Sequence, residues 1–388
     1  MAEQGKVVEI EHLKCHSCGG EMTFSPKDGM LVCPYCGFKQ ELGSEGPVSK
    51  HSYSGNTRLN TGLEGENVTA HCDNCGASIT VEKTTAALRC PFCTSPIKIE
   101  QDAAASVVPD GVVQFQVSQK DAVRCFKDWI KGRFFSPREL RQLAKMQKIN
   151  GVYLPHFLFD CETHSRYTAD AGTHYYVTET VTVTRDGKTV QEQKQVQKTR
   201  WAAVSGEYDE SFEHWKANAS KNVDEKLVKL DFNASDVKPY AKEYLYGFEA
   251  ENNSIALDSC WETVKKEISQ RLNQNIRSQI SADEVRNLDF SPDFKEINYQ
   301  YVLLPVWISS YTFQGKVYQV MINGQTGQIK GQAPLSAARI LLSILSTAGI
   351  AALLYCANHH LGVVYFVVSL IVLAVLAHRK PKGEKKTK

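Results

Sequence analysis

The chain has 388 residues, of which 42% are hydrophobic, and its formal net charge is +2. This length allows two or three domains with a sizeable core, and the nearly balanced charge gives by itself no reason to expect an acidic partner. Residues 1–11 contain no apolar run, so we expect no secretory signal peptide there.

Eight cysteines in the first hundred residues form two sets of identical spacing. Each set reads Cys-x2-Cys, then fourteen residues, then Cys-x2-Cys, and the second set repeats the first 57 positions later. Paired Cys-x2-Cys turns supply four thiolates for a tetrahedral ion, and four protein ligands leave no open position for a reacting water. We therefore predict two zinc ribbons, at 12–42 and 69–100, each holding one structural Zn²⁺. The predicted ligands are Cys15, Cys18, Cys33 and Cys36 in the first ribbon and Cys72, Cys75, Cys90 and Cys93 in the second.

Charge bears on what the ribbons bind. Residues 1–100 hold nine Lys/Arg and twelve Asp/Glu, and eight thiolates with two Zn²⁺ ions would bring their formal charge to about −7. Nucleic-acid-binding modules need clustered cations to displace counterions, so we expect protein partners and consider nucleic acid the alternative. A disulfide framework is the alternative to metal, and it is disfavoured in the cytosol, where thiols stay reduced.

The middle of the chain predicts a duplicated α+β body. Residues 43–68 are rich in Gly, Ser and Asn and predict a flexible linker. The body, 110–335, repeats a strand–helix–helix–strand order in halves of about 110–205 and 240–335. In the second half, apolar residues spaced three to four apart predict one helix face, formed by Trp261, Val264, Ile268, Leu272 and Ile276.

Two shorter patterns set boundaries inside the body. Ser136–Glu139 and Ser281–Glu284 are capping boxes, which predict that a helix begins at each. Alternating residues on both sides of Asp186-Gly187 predict a long hairpin over 175–201 with a type I′ turn.

The C-terminus contains two apolar segments, 340–357 and 361–377. Each is near the length that spans a bilayer as a helix, so we predict a transmembrane helical hairpin, with a buried soluble hairpin as the alternative. Basic residues precede the first segment and fill the tail, 378–388. The positive-inside rule then predicts a two-pass protein of the cell membrane with both termini in the cytosol. The predicted fold class is thus multidomain: two small β ribbons, the α+β body and the helical hairpin.

Catalytic motifs do not occur in the sequence. GxGxxG, HExxH and GxSxG are absent, and Gly187-Lys188-Thr189 lacks the earlier glycine of a P-loop. His156, Cys161, His164 and His174 are close in sequence, but strand alternation sends the first two to opposite faces. We therefore predict no enzymatic activity, and a hydrolase that uses the region 156–174 is the third and least favoured function.

Two motifs of the body carry a resemblance to a known family. They are Tyr244–Glu251 and the Leu-Pro-aromatic strand Leu304–Trp307. Together with the ribbons, which look like the TFIIB-type class, they resemble YdjG-like bacterial membrane proteins. The resemblance implies a non-enzymatic membrane partner of envelope-stress proteins of the phage-shock and SPFH type. We accordingly predict a membrane-anchored, cytosol-facing adaptor, with a membrane-tethered nucleic-acid binder as the alternative.

Overall fold

The computed structural model describes most of the chain. The described residues are 14–42, 46–55, 67–72, 77–82, 88–92, 95–97, 108–137, 149–185, 188–223, 227, 230–313, 316–357, 365 and 367–369. Three α-helices are described as continuous segments: α1 Gln119–Lys131, α2 Leu257–Gln279 and α3 Ala337–Ala357. Residues 227, 365 and 367–369 are also helical. The strands are β1 Thr23–Ser25, β2 Met30–Val32, β3 Lys39–Gln40, β4 His51–Ser52, β5 Asn67–His71, β6 Ser78–Glu82, β7 Leu88–Arg89, β8 Pro96–Ile97, β9 Gly111–Val113, β10 Asn150–Arg185, β11 Lys188–Asn218, β12 Val237–Pro239, β13 Glu249–Glu251, β14 Glu284–Phe313, β15 Lys316–Asn323 and β16 Ile329–Gly331.

One curled sheet of eleven strands organises the molecule. Its centre is the antiparallel pair β10–β14, which runs from Asn150↔Ile308 to Gly172↔Glu284 with register shifts at 160/162 and 168/170. β11 pairs with the other side of β10 as the predicted hairpin, down to the pair Arg185↔Lys188. The turn at 186–187 lies outside the described residues. Beyond Gly172, the described partner of β10 is β11, so these two strands continue past the rest of the sheet as a two-stranded hairpin arm.

Short strands extend the sheet on both sides of the central pair. β9 lies parallel to β14, and β13 lies parallel to β10. β15 pairs with β14 in an antiparallel hairpin. Apolar clusters also cover this part of the sheet: Tyr153 packs in one cluster and Leu154 and Val306 in another, which explains why all three are buried.

Helix α2 covers one face of the sheet, as its sequence pattern predicts. Its buried side chains recur every three or four residues, because that spacing returns to the same side of an α-helix. They pack with apolar residues of β10 and β14 such as Phe159 and Tyr299. The buried set is Leu257, Cys260, Trp261, Val264, Ile268, Leu272 and Ile276.

The predicted fold class is wrong in two respects. The body is mainly β-sheet rather than α+β, because β10, β11 and β14 each run for 30 or more residues. The capping box at Ser281–Glu284 starts no helix, since Glu284 opens β14 and pairs with Gly172. Most of the predicted second helix of the first half, 138–148, lies outside the described residues.

The predicted transmembrane hairpin and its two-pass topology are also wrong. Within the described ranges, one helix, α3, is long and apolar enough to cross a membrane. The second apolar segment, 361–377, lies outside the described residues except for 365 and 367–369. The interpretation from apolar runs alone counted two helices, whereas the structure supplies one candidate span.

Candidate metal centre

The first cysteine set sits on two tight turns that face each other. In each turn the N–H of a glycine returns to a cysteine carbonyl: Gly19 to Cys15 at 2.8 Å, and Gly37 to Cys33 at 2.9 Å. Both glycines have positive φ, +73° and +76°, which a residue with a Cβ adopts only with strain. Glycine just after each Cys-x2-Cys turn is therefore what allows the chain to leave the turn.

The four sulfurs converge at one point. Cys15 Sγ lies 3.4 Å from Cys36 Sγ, and Cys18 Sγ lies 3.5 Å from Cys33 Sγ. All four sulfurs lie within 4.8 Å of one another. A tetrahedral ion with metal–sulfur bonds of about 2.3 Å needs sulfur–sulfur separations of about 3.8 Å. The set Cys15, Cys18, Cys33 and Cys36 could therefore hold a metal ion.

Backbone donors prepare this site for thiolate ligands. The N–H of Cys36, with that of Tyr35, points at the Cys33 sulfur and lowers the pKa of Cys33 to about 7. The Gly20 N–H acts in the same direction on Cys18, but the neighbouring thiols of Cys36 and Cys33 outweigh it and raise the pKa of Cys18 to about 12. Four close sulfurs cannot all ionise without a cation, so the geometry favours a metal.

The second cysteine set is described only in part. Cys72 and Cys90 are buried, and each repeats the backbone bond of its counterpart in the first set. Cys72 N donates to Ala77 O at 2.8 Å and Cys90 N to Ser95 O at 2.8 Å, as Cys15 N does to Gly20 O and Cys33 N to Phe38 O. Cys75 and Cys93 lie outside the described residues. A second metal site therefore stays a prediction.

The first cysteine region, with its strands β1–β3, is packed onto the body by the motif Tyr244–Glu251. Phe24 of β1 is buried, and its ring lies 5.8 Å from that of Tyr244 and 6.4 Å from that of Phe248. Its N–H also donates to the Tyr246 carbonyl at 3.1 Å. Phe248 in turn stacks on Phe115 at 4.2 Å, so the ribbon joins the main core.

The same motif holds the second cysteine region. Its last residues form β13, where Ala250 and Glu251 pair with β6. Phe92 is fully buried beside the sheet, and its carbonyl accepts a hydrogen bond from Gln319 Nε2 at 2.8 Å. Both cysteine regions are thus mounted on one eight-residue motif that the sequence had marked only as a resemblance.

Part of the predicted flexible linker is held against the sheet. His51–Ser52 pairs with β14, and His51 Nε2 lies 2.6 Å from Asp110 Oδ1. Lys50 Nζ forms an ion pair with Asp160 at 2.6 Å. The segment 46–55 is therefore an edge of the body, while 43–45 and 56–66 lie outside the described residues.

The four residues considered for a second chemistry do not form a site. Cys161 lies in the apolar core beneath α2, whereas the buried His156 ring lies 6.5 Å from the ring of Phe232 and is not part of that core. His164 Nδ1 contacts Asp209 at 2.6 Å, and His174 Nε2 contacts Glu284 at 3.0 Å. Ten residues of extended strand separate the two histidines by about 33 Å, so one ion cannot bind both.

Two ionisable residues that the fold removes wholly or partly from water, Glu251 and Lys216, were not predicted from the sequence. Glu251 is 1% exposed, and Lys216 is partly buried at the end of β11. Neither has a sequence pattern that sets it apart, because burial here depends on strands that are distant in sequence. The one available signal was the position of Glu251 at the end of the Tyr244–Glu251 motif.

Comparison with known proteins finds a relative of similar length. The chain is 26% identical over 357 residues to a protein of Bacillus subtilis (strain 168) described as "Uncharacterized protein YdjG", and the match covers 87% of this chain and 94% of the relative. No family model matches the chain, and no solved structure matches it at a significant level. The similarity supports a YdjG-like family, and the TFIIB-type assignment of the ribbons remains a prediction.

Proposed function

We propose that this protein is a metal-containing adaptor that is attached to a membrane and binds other proteins through its ribbons. The observation that carries the proposal is the mounting of the first ribbon. Its inner side is fixed to the body through Phe24, while Tyr35, inside the second Cys-x2-Cys turn, is 78% exposed. Exposed aromatic side chains on a rigid support are typical anchors of protein–protein contacts.

The metal in this proposal is structural Zn²⁺. Four cysteine sulfurs close the coordination sphere of the ion, so no position remains for water or substrate. The ion would hold the two turns together and thereby fix the position of Tyr35. We extend the proposal to a second Zn²⁺, held by Cys72, Cys75, Cys90 and Cys93. Its support is that the backbone hydrogen bonds at Cys72 and Cys90 repeat those at Cys15 and Cys33.

Attachment to the membrane is assigned to α3. Its apolar side chains are exposed, for example Leu342 at 69% and Leu353 at 74%. The beginning of the helix is tied to the body, because Arg339 Nη1 donates to the carbonyls of Phe134 and Ser136 at 3.0 and 2.7 Å. Insertion into a bilayer would remove these apolar side chains from water, which is favourable, and the helix is long enough to span the hydrocarbon core.

The test compares the full chain, extracted in detergent, with its Tyr35→Ser variant. A photo-crosslinker at position 38, next to the exposed turn, should link the wild-type protein to defined partner proteins, seen as bands of higher mass. The Tyr35→Ser variant should give weaker bands, although its metal content is unchanged. Tyr176→Ser, which removes another exposed tyrosine far from the ribbon, is the matched control and should capture the same bands as the wild type. Equal capture by all three proteins would refute the assignment of Tyr35.

The nucleic-acid alternative has its own signature. The same protein is titrated with single- and double-stranded DNA and RNA at low salt. Micromolar binding that weakens steeply with added salt would favour the nucleic-acid function over the adaptor. We expect no such binding, because the described cysteine regions belong to a segment with more acidic than basic residues.

A further inference from the structure

A partly open cavity of about 790 Å³ lies between the last residues of β11, the segment 231–232 and helix α2. It is separate from the metal centre and shares no residue with the cysteine regions. Five side chains with an imidazole, amine or thiol line it: His156, His214, Lys216, Lys221 and Cys260. Of these, His156 and Cys260 are buried and Lys216 is partly buried.

Lys216 places an amine at the cavity wall. Its Nζ donates to the Leu230 carbonyl and lies 5.3 Å from the centre of the Phe232 ring. Burial lowers the pKa of Lys216 to about 8; Lys330 acts in the same direction, and the carboxylates of Asp231 and Glu267 oppose it. An amine in such surroundings is neutral, and hence nucleophilic, in a sizeable fraction of molecules near neutral pH.

His156 offers an unused hydrogen-bond acceptor on the same wall. It is 1% exposed, and its Nδ1 lies 3.2 Å from the Leu154 carbonyl, so the ring proton belongs on Nδ1 and the lone pair on Nε2. In the part of the chain that the structure describes, Nε2 has no hydrogen-bond partner. Burial lowers the pKa of His156 to about 3, so the ring stays neutral.

The strand register brings the two residues together. His156 pairs with Asn218 and Leu158 with Lys216, so His156 and Lys216 lie on one face of neighbouring strands, two positions apart. The ring of Phe232 lies 6.5 Å from that of His156 and also faces Lys216. A ligand between these groups would meet an amine, an aromatic surface and an acceptor.

The other lining groups narrow the class of ligand. Two lysines, Lys216 and Lys221, face three carboxylates, Glu213, Asp231 and Glu267, so the balance disfavours an anionic ligand. Cys260 does not compete as a nucleophile, because burial raises its pKa to about 12 and its Sγ donates to the Asn218 carbonyl at 3.4 Å.

We propose that this cavity binds a small, neutral aldehyde or ketone and that Lys216 captures it as a reversible imine. The neutral amine attacks the carbonyl carbon, a C–N bond forms, and the proton lost by nitrogen passes to the carbonyl oxygen. The resulting hydroxyl donates a hydrogen bond to His156 Nε2. The C–O bond then breaks as the second proton of the nitrogen passes to this hydroxyl, which leaves as water while the C=N bond forms. The two amine protons and the carbonyl oxygen thus become the water, and the step needs no oxidant or reductant.

The test treats the full chain, in detergent at pH 7.5, with salicylaldehyde and sodium cyanoborohydride, followed by peptide mass mapping. Lys221 lines the same cavity but is exposed, so it serves as an internal comparison. A pKa of about 8 instead of the ordinary 10.5 raises the neutral fraction on the order of 100-fold at this pH. Lys216 should therefore be modified at aldehyde concentrations that leave Lys221 unmodified. Equal modification of both, or none at Lys216, would overturn the proposal.

Variants then separate binding from simple reactivity. Lys216→Arg should abolish the adduct, and Lys238→Arg, at an exposed position of β12 outside the cavity, should leave it unchanged. His156→Phe should lower the yield at Lys216, and an unchanged yield would remove His156 from the proposed site. The comparison of Lys216 with Lys221 is made within the wild-type protein, so it decides the matter even if a variant fails to fold.

Discussion

Replacing Glu251 with glutamine should change how the stability of this protein depends on pH. Glu251 is 1% exposed where β13 meets β6, and its Oε1 accepts hydrogen bonds from Ser220 Oγ at 2.8 Å and Asn222 Nδ2 at 2.6 Å. Its Oε2 is buried without a hydrogen-bond partner among the described residues. Burial therefore raises the pKa of Glu251 to about 7, although the two donors oppose the shift.

The sign of the effect follows from proton binding. Between the ordinary value of 4.5 and the folded value of about 7, the native state holds a proton that the unfolded state has lost. The contribution of Glu251 to the free energy of unfolding is therefore most favourable below pH 4.5, and it falls as the pH rises from 4.5 to about 7. One pKa unit corresponds to about 1.4 kcal/mol, and most of the shift takes effect between pH 5 and pH 8, so the free energy of unfolding of the wild type should fall by about 2–3 kcal/mol over this range through Glu251.

The assay is urea unfolding of the full chain in detergent at pH 5 and pH 8. The free energy of unfolding of Glu251→Gln, relative to the wild type, should increase by about 2–3 kcal/mol from pH 5 to pH 8. The titration of His156 and of the cysteines is common to both proteins and cancels in the difference. Glu41→Gln, at an exposed position, is the control. If the Glu251→Gln difference stayed constant from pH 5 to pH 8, a raised pKa for Glu251 would be refuted.

Three further predictions concern the ribbons and their support. Elemental analysis of the purified full chain should give two equivalents of zinc and Cys33→Ser one; a single equivalent in the wild type would contradict the second site. Phe24→Ala, which empties the contact with Tyr244, should lower the free energy of unfolding by about 3–5 kcal/mol in a denaturant titration, and a change below about 1 kcal/mol would show that the ribbon is not held there. Gly247→Ala should cost about 1–2 kcal/mol by the same measurement, because Gly247 has φ +87°; Gly349→Ala, in an open part of α3, is the control that should not lose stability.

The features that the sequence determines are local ones. A Cys-x2-Cys turn needs only its own residues and the following glycine, so the set Cys15 to Cys36 could be recognised from spacing, and its four sulfurs do converge. The buried face of α2 follows from its own 3.6-residue repeat. The hairpin of β10 and β11 follows from alternation on both sides of one turn signal.

Tertiary structure decided what depends on partners far away in the chain. Ser281–Glu284 has the pattern of a capping box, yet backbone hydrogen bonds to β10, more than a hundred residues earlier, draw Glu284 into a strand. Nothing in the residues of Tyr244–Glu251 shows that this segment contacts the cysteine regions. In the fold, β1 packs against its first residue and β6 pairs with its last residues. Lys216 and His156 become neighbours only through the β10–β11 register, and Leu230 and Phe232, from a later segment of the chain, pack against them. Burial is a property of the assembled layers, and no stretch of sequence contains its own solvent boundary.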